Sequence, residues 1–140
     1  MSEKFKIYSE FIKDLSSETK DLETYLYVKE YLKNYNLNIE ISSKPLKNRF
    51  IEVNTKLTYV DNGESLNKAF FEIIYATIVK INEEIKDRKI IEKIILCEVQ
   101  NKIYNNLEKV FINLLRDSGY PGAKIEKKID FEKLYNQKLS

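Results

Sequence analysis

Ala69-Phe70-Phe71-Glu72-Ile73-Ile74-Tyr75-Ala76-Thr77-Ile78-Val79-Lys80-Ile81 is the stretch on which the fold turns. It is β-branched and aromatic almost throughout, the composition of a strand. At a period of two, Phe71, Ile73, Tyr75, Thr77, Val79 and Ile81 make one face, and Phe70, Glu72, Ile74, Ala76, Ile78 and Lys80 the other. Both faces carry apolar bulk, so this strand is expected inside a sheet or at an interface.

Upstream the same period recurs. Ile51, Val53, Thr55, Leu57 and Tyr59 alternate strictly, and Asp61-Asn62-Gly63 supplies the turn, with Gly63 able to take positive φ. Leu37, Ile39 and Ile41 alternate over 36–42, and Pro45 with Lys44, Lys47 and Asn48 marks the next turn. At the start, Phe5, Ile7 and Phe11, with Ser9 between them, read as one side of a strand that ends near 13–17. Between these strands, Leu22, Tyr25, Leu26, Lys29 and Leu32 have helical spacing and predict a short helix.

Downstream the period changes to steps of three and four. Ile90, Ile91, Ile94, Ile95, Val99, Ile103, Leu107, Val110, Phe111, Leu114 and Leu115 predict one long amphipathic helix from about 87 to 117. Gly119 is a natural C-terminal cap, and Pro121 forbids continuation. After a linker to Ile129, Asp130 is a good N-cap for a last short helix carrying Phe131, Leu134, Tyr135 and Leu139. Strands first and helices afterwards predict an α+β fold: a four-stranded antiparallel sheet with the long and the short C-terminal helix on one face. With 140 residues, a single domain over 1–140 is expected.

Composition narrows the chemistry. No histidine is present, which excludes Ser-His-Asp and Cys-His catalysis and any histidine zinc site within the chain. Three glycines, Gly63, Gly119 and Gly122, leave no phosphate-cradling loop. A single cysteine, Cys97, permits no internal disulfide and fits a reducing compartment. No apolar run approaches the roughly 18 residues of a membrane span, and no signal-peptide core opens the chain. A cytosolic protein without cofactor or metal, not inserted in a membrane, is expected.

Several segments then resemble the bacterial SecB export chaperones. Phe11-Ile12-Lys13-Asp14-Leu15-Ser16-Ser17-Glu18 looks like the end of that family's first strand, and Ala69-Phe70-Phe71-Glu72-Ile73 with Tyr75-Ala76 like its fourth. Gly119-Tyr120-Pro121, followed by Ile129-Asp130-Phe131 and Leu134-Tyr135, is similar to the segment joining its two C-terminal helices. The likeness runs over nearly the whole chain. It implies a homotetramer formed from two dimers that holds precursor proteins unfolded and passes them to the SecA motor, with no catalytic activity. Carried over by position, Asp14, Glu18, Phe70 and Glu72 would form the SecA-docking surface. Where the family carries Cys-Pro, Phe-Pro and then Arg, this chain has Val99-Gln100, Tyr104-Asn105 and Glu108, so its helix is expected to be longer and straighter. The family is also typically acidic, whereas the net charge here is +2.

The residues themselves offer a client surface. Tyr25, Tyr27, Tyr31 and Tyr35 crowd the connection between the first two strands, and Tyr combines an apolar ring with a polar tip. Tyr25, Tyr27, Tyr31, Leu114 and Leu115 are the candidates for a client groove; the competing reading packs the tyrosines into a local core with Leu22, Leu26 and Leu32. Three rival functions stand beside export. One is a SecB-like chaperone acting outside export, for example guarding a toxin–antitoxin pair. Another is nucleic-acid binding through Lys44, Lys47, Arg49 and Phe50 or Lys124, Lys127 and Lys128. Glu40, Glu52, Glu126 and Asp130 interrupt those patches, so no nucleic acid is expected. A carboxylate-dependent hydrolase comes third, since no acid pair stands out.

Overall fold

The computed structural model describes residues 3–125 and 129–139. In chain order it has β1 (Phe5–Glu18), α1 (Leu22–Glu30), a 3-10 turn (Leu32–Asn34), β2 (Tyr35–Pro45), β3 (Phe50–Asp61) and β4 (Phe70–Ile81). Helix α2 follows, built of Arg88–Lys93, a π turn Ile94–Glu98, and Val99–Asp117. A short α3 (Phe131–Leu139) closes the chain.

The sheet order is β1-β4-β3-β2, antiparallel throughout. The doubly apolar stretch is therefore an inner strand, as its composition requires. Strands β2, β3 and β4 form a meander, and the α1 connection carries the chain from β1 at one edge to β2 at the other. The β2–β3 turn places Asn48 at φ 60 and Arg49 at φ 68, both left-handed. Such a conformation is strained for arginine. Its guanidinium compensates by donating to the carbonyls of Asn82, at 2.9 Å, and of Ile85, which fastens the turn to the β4–α2 loop.

One sheet face lies under the helices. There Val53, Leu57, Phe71, Ile73 and Val79 meet Ile94, Val99, Ile103, Leu107, Phe111 and Leu115, all buried. Each such side chain contributes about 1.5–3 kcal/mol of apolar transfer. A fully buried polar tie crosses the interface: Thr55 donates from Oγ1 to Gln100 Oε1 at 3.0 Å, and Gln100 Nε2 reaches the Ile95 carbonyl at 3.3 Å. Helix α2 runs unbroken through Val99-Gln100 and Tyr104-Asn105, as the missing prolines predict, but it is not regular. In an α-helix a four-residue step overshoots a full turn by about 40°. The π turn absorbs an extra residue, so Ile94 and Ile95 stay on the buried face shared by Val99 and Ile103.

Both caps are where the sequence puts them. Gly119 adopts φ +107, and Tyr120 N–H returns to the Leu115 carbonyl at 3.1 Å, the 6→1 bond of a Schellman cap. Asp130 Oδ1 accepts from Lys133 N–H at 3.1 Å. Gly63, by contrast, does not use positive φ. Helix α3 packs back on α2 through the Phe131–Tyr104 ring contact, with centroids 5.3 Å apart.

Candidate functional site

The other sheet face is open, and β1 decides what stands on it. Its pairing with β4 slips twice, between Ile7 and Ser9 and between Ile12 and Asp14, so Tyr8 and Lys13 are extra residues in bulges. Each bulge reverses which parity faces the helices. Phe5 and Ile7 face α2, opposite Ile81 and Val79. After Tyr8, Glu10 and Ile12 take that side, opposite Thr77 and Tyr75, and Phe11 turns outward opposite Ala76. The expectation that Phe11 continues the side of Phe5 and Ile7 is thus corrected: it is 44% exposed on the open face.

After Lys13 the phase changes again. Asp14, Ser16 and Glu18 stand outward, opposite Ile74, Glu72 and Phe70. The four candidates Asp14, Glu18, Phe70 and Glu72 therefore share one face at one end of two adjacent strands, where directly opposed Cβ atoms lie about 5 Å apart. Phe70 is 43% exposed among them. Ser16 Oγ donates to Asp14 Oδ2 at 2.7 Å, and Lys56 Nζ lies 3.5 Å from Glu72 and 3.6 Å from Glu40. The Lys56–Glu40 pair is exposed and adds little stability, about 0–1 kcal/mol, whereas the Glu72 side chain is only 16% exposed.

The opposite end of this face has another character, which the sequence reading did not find. Lys6 stands opposite Lys80, with Nζ atoms 5.3 Å from the Tyr8 ring and 5.5 Å from the Phe50 ring. Those two rings meet edge to face at 5.0 Å. Nothing in local spacing announces this cluster, because the Tyr8 bulge and the β3–β4 register assemble it. Arg49, placed by the sequence in a basic patch with Lys44, Lys47 and Phe50, is committed to the carbonyls named above. Lys127 and Lys128 lie outside the described residues.

On the helix side, the tyrosines of the first connection separate into different environments. Tyr35 is core, and its hydroxyl accepts from Ala69 N–H at 3.0 Å. Tyr25 donates to the Gly119 carbonyl at 2.8 Å and packs 5.3 Å from the Tyr120 ring. A Cβ at Gly119 would stand 2.8 Å from Tyr25 Cε1, so only glycine permits that approach. Tyr27 and Tyr31 stack on each other at 4.6 Å, with Tyr31 at the surface. Leu22 and Leu26 are exposed, at 70% and 55%, so the tyrosines do not form a local core with them.

Leu115 corrects the candidate list: it is fully enclosed in the core, while Leu114 is half-buried. Neither they nor Tyr25, Tyr27 or Tyr31 line the groove found beside the start of β2. That groove, about 400 Å³, adjoins the end of the connection and has Leu32, Tyr35, Leu37, Tyr59, Ile125 and Ile129 among its walls. Leu37 and Tyr59 read in sequence as ordinary strand residues. They border a groove because β2 is an edge strand that the helices leave partly uncovered.

Cys97 is buried, Asn101 Nδ2 approaches its Sγ at 3.7 Å, and burial pushes the thiol above its ordinary range. Among the described residues no group of three or more His, Cys, Asp or Glu is placed to hold a metal ion. Among them, too, no helix is long and apolar enough to cross a membrane.

An antiparallel sheet with one face under a long helix and the other open is a two-layer α+β fold. The solved SecB-like chaperone of Mycobacterium tuberculosis, in complex with a ChAD peptide from the HigA1 antitoxin, matches with a TM-score of 0.63 over 90% of this chain and 91% of that one, at 12% identity. The family model described as preprotein translocase subunit SecB matches residues 1–140. The putative protein-export protein SecB of Pelagibacter ubique (strain HTCC1062) is 57% identical over 140 residues, the whole of both chains. The protein-export protein SecB of Xanthobacter autotrophicus is 24% identical over 136 residues, 95% of this chain and 83% of that protein. The chain belongs to the SecB family of protein-export chaperones.

Proposed function

We propose that this chain holds unfolded precursor proteins on its helix side and passes them to SecA through the open sheet face. One observation carries the reading: Asp14, Glu18, Phe70 and Glu72, far apart in sequence, share a face at one end of β1 and β4. An exposed aromatic ringed by carboxylates suits a basic, partly apolar partner, with the charges governing encounter and the ring governing dissociation. The groove beside Leu32, Leu37 and Tyr59, with exposed Leu22, Leu26 and Tyr31 nearby in the chain, suits an apolar polypeptide of loose sequence preference.

A tetramer made of two dimers, working in the cytoplasm, is part of the same reading. Ile12 and Leu15 support it: both lie on the helix side of edge strand β1, yet remain 43% and 46% exposed. Light scattering at micromolar concentration is expected to give the tetramer mass, and a strictly monomeric mass contradicts it.

The decisive experiment reverses two charges. Glu18→Lys with Glu72→Lys is expected to weaken SecA binding about tenfold at low salt, and less as salt screens the surface. Suppression of client aggregation is expected to stay intact. Unchanged SecA affinity makes these carboxylates ordinary solvated residues. Client holding without any SecA binding in the unaltered protein favours a SecB-like chaperone acting outside export.

A further inference from the structure

The β3–β4 turn contains Asn62-Gly63, the one position in the chain where glycine follows asparagine. Both residues are exposed, and no hydrogen bond engages the Asn62 side-chain amide among the described residues. The Gly63 N–H donates to Asp61 Oδ1 at 2.7 Å. A Cβ at position 63 would stand 3.0 Å from that same oxygen, so a missing side chain lets carboxylate and amide approach. Asp61 itself is only 7% exposed, which holds its carboxylate against the amide rather than in bulk water.

We propose that Asn62 is a self-processing modification site, converted to aspartate and isoaspartate with Asp61 as the proton acceptor. Three requirements of that reaction meet in this turn: an unhindered backbone nucleophile, a free side-chain amide next to it, and a base within hydrogen-bond reach of the proton to be removed. Gly63 N gives its proton to Asp61 and bonds to Asn62 Cγ. The Cγ–Nδ2 bond then breaks, and the departing nitrogen takes the proton back from Asp61 and leaves as ammonia. Water, the only co-reactant, opens the resulting succinimide at either carbonyl. One opening gives aspartate at position 62; the other gives isoaspartate, with one extra atom in the main chain.

Each event adds a negative charge to the turn that feeds β4, whose first residue is the exposed Phe70. The isoaspartyl product also shifts the amide that Asp61 holds. Conversion thus marks the age of a molecule at the acidic end of its open face.

The test keeps the full chain folded at neutral pH and follows each asparagine over days by peptide mass spectrometry, with an isoaspartyl assay alongside. Exposed Asn36, Asn38, Asn101 and Asn105, none followed by glycine, are internal references. Asn62 is expected to convert an order of magnitude faster than any of them, and Gly63→Ala to abolish the difference. Asp61→Asn is expected to slow conversion several-fold. The unaltered chain is expected to convert more slowly in denaturant, where Asp61 is no longer held, which decides the question even if Asp61→Asn fails to fold. Conversion no faster than at the reference positions overturns the site. Conversion that speeds up on unfolding, or ignores Asp61→Asn in a folded variant, overturns the role of Asp61.

Discussion

Strands β1 and β3 flank the same central strand, pair with it antiparallel, and both alternate in sequence, but they keep phase differently. From Phe50 to Tyr59, β3 stays in unbroken register with β4, and its odd residues face the helices throughout. Strand β1 changes phase at Tyr8 and again at Lys13. The cause lies in their neighbours. β3 has strands on both sides, so a slip would break two ladders and expose a whole apolar row. β1 has one partner and a free edge, so an extra residue can bulge outward at little cost. The difference separates a strand that supports the fold from one that presents residues. Its second bulge is what turns Asp14, Ser16 and Glu18 toward Glu72 and Phe70.

Single-residue deletions are the strongest way to break this contrast. Removing Asn54 from the middle of β3 forces one half of the strand to present its wrong face, and is expected to cost more than about 4 kcal/mol or to abolish cooperative unfolding. Removing Lys13 takes out only the extra residue of a bulge and leaves every β1–β4 pair available, so the protein is expected to fold with its open face preserved. Denaturant unfolding followed by circular dichroism checks both. Equal damage from the two deletions contradicts the division of labour.

Side-chain truncation sharpens the same comparison. Leu57→Ala on β3 empties a fully enclosed site and is expected to cost about 2–5 kcal/mol. Phe11→Ala on β1 removes the larger side chain from the open face and is expected to cost less than about 1 kcal/mol. A large loss at Phe11 in isolated subunits means that something within the subunit covers that ring.

The smallest effect is a pH dependence. Lys13, from its bulge, donates to Glu52 at 2.7 Å, and Asn54 donates to the same oxygen at 2.9 Å. These bonds, Lys13 first, hold the Glu52 carboxyl below its ordinary 4.5. The folded value is the lower one, so the stabilisation is complete above the unfolded value and is lost as pH falls through the folded value. Lys13→Met is expected to flatten that part of the acid limb by lowering neutral stability slightly, while leaving stability below the folded value nearly unchanged. An identical acid limb in the variant and the unaltered protein removes Lys13 as the cause.

Much of the fold was legible because burial imposes periodicity. The alternation of β3 and β4, the three- and four-residue steps of α2, the Gly119 cap and the Asp130 N-cap each report a local need, and each appears where its residues predict. The π turn at Ile94–Glu98 escaped notice because its residues read as ordinary helix. Phe11 was misassigned because alternation carries no mark of a bulge until the partner strand is known. For the candidate surfaces, the proposed docking residues came from family likeness, and the register brings them to one face. The groove was missed because its walls come from the connection, two strands and the segment after α2.

By itself, then, the sequence determined the element types, the two-face apolar character of β4, the absence of histidine chemistry and the ends of the helices. These follow from backbone geometry and from the side chains that a given neighbourhood can bury. Tertiary structure alone decided the strand order, the two phase changes of β1, the enclosure of Leu115 beside half-buried Leu114, and the grouping of lysines with rings at Lys6 and Lys80. Those depend on pairings between residues tens of positions apart. Their energies arise only when both partners are in place, so neither segment carries the information alone.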